Sequence, residues 1–275
     1  MIRQHRLLVL VLITYVFINL LYNTASPIFE PPDEATHYRY IKYLLDHRTL
    51  PALIDGPNRE ELWGLHQPPL YFLISAVLSS PFDHITPTDF LDKNPHVNLG
   101  FATRPGNKNF FMHAGGESFP YDHFPRLIHG LRLVSLVYGA ITLGFVYATG
   151  LMIFSGRQTT AAIAPAFMTL HPEFVFINAE IANEPLNILL MAAGVWGCVR
   201  LILMGPTRQL ALFMGCVAGL IAIAKMTGLA LFLLIAMAML IAALRKHAAT
   251  KLWEFGVIVG ALAAFLGGWW YARNY

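Results

Sequence analysis

The chain has 275 residues, of which 56% are hydrophobic and 13% charged, with a mean hydropathy of +0.53. A water-soluble domain carries about 25% charged residues, so this composition excludes an ordinary soluble globule and points to lipid as the main solvent. The net charge of +3 suits a membrane protein with cationic loops and offers no argument for nucleic acid.

In chain order, apolar runs fall at 7–21, 127–154, 161–177, 185–203, 210–224, 228–244 and 252–271. A membrane span needs about 20 apolar residues. The runs predict an all-α polytopic membrane protein with about seven transmembrane helices. The stretch 210–244 would be roughly 52 Å long as one helix, against a hydrocarbon core of about 30 Å. With Lys225 near its middle, it is expected to be two helices joined by a turn at Lys225-Met226-Thr227-Gly228. Residues 1–26 also have the outline of a secretory signal: a basic start, an apolar core, then Thr24-Ala25-Ser26.

Acidic residues are unevenly spread. Twelve of the sixteen lie between Glu30 and Asp122, and the others are Glu173, Glu180, Glu184 and Glu254. Residues 26–125 therefore read as one polar segment between the first span (7–25) and six further spans (126–275), the whole forming a single membrane module over 1–275. The positive-inside rule puts Arg3, Arg6, Arg157, Arg200, Arg208, Arg245, Lys246 and Lys251 in the cytoplasm. The segment 26–125, the turn 177–184, Lys225 and the end at 273–275 then lie outside. The run 68–78, about 11 residues, is too short to span and is expected to lie in the outer interface.

Cys198 and Cys216 both sit in apolar runs, which argues against a disulfide framework or a metal cluster. Both are expected to be small core residues.

Three polar clusters carry candidate chemistry. Glu30-Pro31-Pro32-Asp33-Glu34-Ala35-Thr36-His37-Tyr38 follows the first span directly. Its prolines stiffen the approach, and an amphipathic helix is expected over 34–47, burying Tyr40, Ile41, Tyr43, Leu44 and Leu45. Asp33 reads as a helix N-cap, as a general base with Glu34 or His37 beside it, or as both. His66-Gln67-Pro68-Pro69-Leu70-Tyr71 opens the interfacial helix and reads as a wet helix start or as a receiver of an anionic group.

The turn Asn178–Pro185 brings Glu180 and Glu184 to the same side, near Glu173 and His171. Asn183 is the natural N-cap there, with Pro185 in the first turn of the next helix. The cations on this side are Arg126, Arg132, Lys225 and Arg273. They could neutralise charge on a phosphate leaving group, contact lipid headgroups or snorkel. Asp83, His84, Asp89, Asp92, His96, His113 and His123 in the loop before residue 125 fit no zinc spacing.

Taken in order, four motifs resemble the glycosyltransferase C superfamily (GT-C), in particular its family 39 branch of protein O-mannosyltransferases and bacterial relatives. They are Asp33-Glu34-x-x-His37-Tyr38, His66-Gln67-Pro68-Pro69-Leu70, Arg132-Leu133-x-Ser135-x-x-x-Gly139, and Trp269-Trp270-Tyr271-x-Arg273-Asn274. The resemblance implies a membrane enzyme that moves a sugar, with inversion, from a polyprenyl-phosphate donor to a glycan, lipid or protein acceptor at the outer face of a bacterial plasma membrane. It casts Asp33 as the base with Glu34 as its neighbour. His66 and Gln67 would approach the phosphate, and Glu184, or less well Glu180, matches the family's second acidic position.

His37, Arg132, Lys225 and Arg273 complete the expected substrate-binding set. Neither cofactor nor metal is implied, although a carboxylate pair such as Asp33 with Glu184 could hold a divalent cation. Many members have Asp where this chain has Glu184, and such members usually continue past the Arg-Asn, so the chain reads as a membrane module that could lack a C-terminal part. The rival readings are a transporter or flippase for a lipid-linked or polar solute, suggested by Lys225 and the glutamate cluster, and a non-catalytic membrane subunit.

Overall fold

The computed structural model describes residues 5–52, 64–82, 92–95, 97, 108–113, 115–245 and 247–274. Asp83, His84, Asp89 and His96 of the acidic loop, together with Arg3, Lys246 and Tyr275, lie outside the described residues. Among the described residues, ten α-helices follow one another: α1 (Arg6–Ala25), α2 (Glu34–His47), α3 (Leu70–Ser79), α4 (His123–Ile153), α5 (Gln158–Leu170), α6 (Pro172–Ile177), α7 (Glu184–Met204), α8 (Arg208–Ala222), α9 (Ala230–Leu244) and α10 (Ala249–Asn274). The expected all-α polytopic architecture is present.

Among the described residues, five helical stretches are long and apolar enough to cross a membrane: α1, α4, α7, Met226–Leu244 (a short 3-10 turn leading into α9) and α10. Two of the seven expected spans are shorter than this. The run 161–177 is interrupted, because Pro172 forces His171 out of the helical region (ψ 115°). It yields the 13 residues of α5 and the 6 of α6. The run 210–224 gives α8 with 15 residues. Thr207 caps its start by accepting a hydrogen bond from the Leu210 amide, and the helix unwinds after Ala222. The division of 210–244 falls as expected, with Lys225 at the N-cap position of the 3-10 turn Met226–Leu229.

Packing is closest between α8 and α10. Gly215 and Gly219, four apart on α8, let Leu262 and Leu266 of α10 approach its backbone, while a Cβ on Gly267 would stand 2.7 Å from the Gly219 carbonyl oxygen. Small residues at this spacing allow helices to meet closely in lipid, where no hydrophobic drive separates helix from solvent. On α4, a methyl group at Gly139 would overlap the Tyr15 hydroxyl and Asn178 Oδ1, so this glycine admits α1 and the turn after α6. Cys198 is buried, but Cys216 is exposed on α8 and is not the core residue expected. A lipid-facing position tolerates a small apolar thiol as readily as a core does.

Most of the buried charged and amide side chains collect at one end of the bundle. There the end of α1, the start of α4, the end of α6, the start of α7, the end of α8 and the end of α10 meet. The Leu70 amide donates to the Ile223 carbonyl at 2.9 Å, and the Tyr271 hydroxyl donates to the Ala222 carbonyl at 2.8 Å. These bonds lock the start of α3 and the end of α10 onto the α8–α9 turn.

Candidate functional site

The site is built on a buried ion pair. Glu34, in the first turn of α2, and Arg132, on α4, are each fully buried and meet at 2.7 Å. Arg132 Nε also donates to Glu34 Oε1 at 2.8 Å, making the contact bidentate. The remaining guanidinium N–H groups donate to the carbonyls of Asn23, Ser26 and Pro27 at 2.7–3.0 Å, so all five are engaged. Glu34 in turn accepts from the amides of Phe29 (2.8 Å) and Ile181 (3.0 Å). One pair thus ties the end of α1, the turn 26–33, α4 and the turn before α7 to the start of α2. Both residues were expected to touch reactants, but the structure places them beneath the surface with their donors and acceptors used internally.

Asp33 precedes Glu34 of this pair in the chain. It occupies the N-cap position of α2, yet its side chain makes no capping bond and its backbone is left-handed, φ +63°. The carboxylate is therefore exposed. Phe29, at the other end of the same turn, is also left-handed, φ +65°. Such a conformation is uncommon for a bulky residue and costs about 1–3 kcal/mol. Here it is held by the Glu34 bond and by ring contacts with Tyr38, Phe111 and Phe124 at 5.6–6.1 Å. Glu30 accepts from the Phe110 and Phe111 amides and from His113, fastening residues 110–113 against the turn.

Asp33 is close enough to Lys225, His37 and Glu180 that its negative charge favours the protonated form of all three. Lys225 pairs with Glu184, and both are half-exposed. Burial holds the Lys225 ammonium below its usual pKa, and Asp33 partly offsets this. His37 is buried, donates from Nδ1 to the Ile181 carbonyl at 2.9 Å and is pushed down by burial. This leaves a neutral ring with Nε2 as acceptor.

Glu180 is 6% exposed, and its Oε2 is sealed without a partner. Burial, then the negative charge of Glu34, raise its carboxyl from 4.5 to about 8.

The remaining expected residues divide. Gln67 Oε1 accepts from Asn183 Nδ2 at 2.6 Å, which joins the approach to α3 to the start of α7. Asn183 stands at the N-cap position of α7 without a side-chain cap, because its amide is turned to Gln67. Pro185 does sit in the first turn. His66 is exposed at the bend before α3. The leading amide of α3, expected to be open to an anion, is taken by Ile223. Arg273 donates to the carbonyls of Leu50 (3.2 Å) and Pro51 (3.0 Å), so it tethers α10 to the segment after α2.

Asn187 is a residue that sequence reasoning missed. It reaches Thr227 at 3.5 Å and keeps Oδ1 buried without a partner. A lone Asn three residues after Glu184 in an apolar span was the available signal. Among the described residues, no group of three or more His, Cys, Asp or Glu comes together as a metal site.

At one end of this bundle of apolar helices, two carboxylates and a lysine lie near an exposed aspartate, and a family match gives the class as membrane glycosyltransferases of the GT-C type. Residues 124–271 match the dolichyl-phosphate-mannose-protein mannosyltransferase family. That is more than half of the chain, and the chain belongs to this family. The matched region contains Arg132, Glu180, Glu184 and Lys225. Asp33 and Glu34 precede it and join it through the contacts described above. No curated protein and no solved structure matches the chain.

Proposed function

We propose that the protein transfers a sugar from a polyprenyl-phosphate donor to an acceptor at the extracytoplasmic face of the membrane, with Asp33 as general base and inversion at the sugar. The observation that carries this reading is the position of Asp33. Its side chain is withheld from capping α2, the residue is exposed, and its charge acts on Lys225, Glu180 and His37. Asp33 takes the proton of the acceptor hydroxyl as that oxygen forms its bond to the anomeric carbon. The bond from that carbon to the phosphate oxygen breaks on the opposite face, and the electron pair leaves with the polyprenyl phosphate. Lys225 faces the departing charge, a role in which a pre-positioned cation lowers the barrier without reorganising.

His66, Gln67 and Glu184 complete the donor side of the site. Glu34 and Arg132 act as positioning residues that fix Asp33, and Arg273 holds the segment leading to Gln67. The substitution Asp33→Asn tests the reading. General-base catalysis contributes roughly 10²–10⁴-fold, so transfer should fall by that factor while thermal stability in detergent is kept. Wild-type turnover in the folded variant would remove Asp33 from the mechanism.

A further inference from the structure

We propose that Glu180 enters the site as a neutral acid and donates a hydrogen bond to the phosphate of the lipid-linked donor. This rests on the donor reading above and assigns Glu180 a role separate from that of Asp33. The geometry comes first. Glu180 is more than nine-tenths buried, and Oε2 has neither solvent nor a donor. An ionised carboxylate needs donors on both oxygens, and an unpaired charge in such a place is expensive. The groups that face it are Glu34 and Asp33, of the same sign, and Arg132, whose five N–H groups are committed elsewhere. The carboxyl therefore keeps its proton, consistent with its rise to about 8.

With Oε2 sealed as the carbonyl oxygen, the hydroxyl belongs on Oε1, the oxygen not sealed in this way. A phosphodiester anion is the acceptor that such a group recognises, and Lys225, close to Asp33, supplies positive charge to the site. The proton stays on Glu180 throughout. The hydrogen bond shortens as negative charge grows on the leaving phosphate, because bonds to a charged acceptor are stronger. An ionised Glu180 would instead repel the phosphate. Donor affinity should thus fall as pH rises through the Glu180 transition. Lys225 can lose charge in the same direction, and burial pushes His37 toward its neutral form, so the pH effect alone does not separate Glu180 from Lys225.

The test uses the full chain in detergent with geranyl-phosphate-mannose, a diester that stays singly charged from about pH 6 to about pH 9. Binding is read by calorimetry, together with KM and kcat for transfer. Wild-type Kd should rise roughly tenfold across that range, the loss of one hydrogen bond to a charged group. Glu180→Ala should bind roughly tenfold more weakly even at the acid end. Glu180→Gln keeps a donor without a titratable proton; it should restore binding to near the wild-type acid value and abolish the rise.

If Glu180→Gln binds as poorly as Glu180→Ala while both stay folded, the neutral-donor role is wrong. If the rise persists in Glu180→Gln, the titrating group is Lys225 and the proposal falls. No binding of the probe by wild type at any pH would overturn the donor reading itself, a failure distinct from either of these.

Discussion

Two glutamate–cation pairs sit at the same end of this bundle, and they are built differently. Glu34–Arg132 is fully buried, bidentate and saturated: every guanidinium N–H has an acceptor, and the carboxylate takes two backbone amides besides. Glu184–Lys225 is half-exposed and has a single contact, with Asp33 close to its cation. A saturated pair in low dielectric has no capacity for a ligand and holds only while complete. A solvated pair contributes little to the fold and can exchange its partner for a substrate. A glutamate–cation pair thus serves as scaffold in one place, while the proposed function assigns the other to the substrate.

The comparison can be broken at several points. Arg132→Met should be the most damaging, since removing one partner leaves a charge stranded, at about 3–5 kcal/mol. Chemical unfolding in detergent would show it, and a stable variant would mean the pair is not the scaffold. Gly139→Val attacks the same region sterically, through Tyr15 and Asn178. Overpacking of this kind costs about 1–3 kcal/mol, read as a lowered melting temperature.

Glu184→Gln and Lys225→Met should change stability by no more than about 1 kcal/mol yet impair sugar transfer more than any stability loss explains. Equal effects on both would erase the distinction drawn here. The smallest effect is a pH slope. Glu180 binds its proton more tightly folded than unfolded, so its contribution is fully present below 4.5 and is lost as pH rises toward about 8. Melting temperature measured across that window should decline less in Glu180→Gln than in wild type.

Much of the fold was legible from sequence, because its rules are local. Lys225 marks a helix break since a charge is expensive at mid-membrane, and the amphipathic pattern of 34–47 placed α2 with Tyr40, Ile41 and Leu44 buried. The interruption at His171 was legible too, from Pro172, but the continuous apolar character of 161–177 outweighed it. The sequence offers candidate site residues but not which of them meet. Glu34 and Arg132 are 98 positions apart, and nothing near either one says that they meet. Asn183 has the residue type and position of a cap, yet its amide goes to Gln67, 116 positions away. Which carboxylate is buried and which is open depends on that long-range pairing.

That separation has a consequence for how the chain is made. Glu34 emerges from the ribosome well before its partner: at about 5–20 residues per second, the 98 positions to Arg132 take roughly 5–20 s. The Ile181 amide, 147 positions on, arrives later still. During that interval α1 is already apolar enough to enter the bilayer, while the acid that will anchor the site waits without a counter-charge. The turn bearing Asp33 can close only after α4 and the start of α7 have been delivered, so the site takes shape long after its first residues are made.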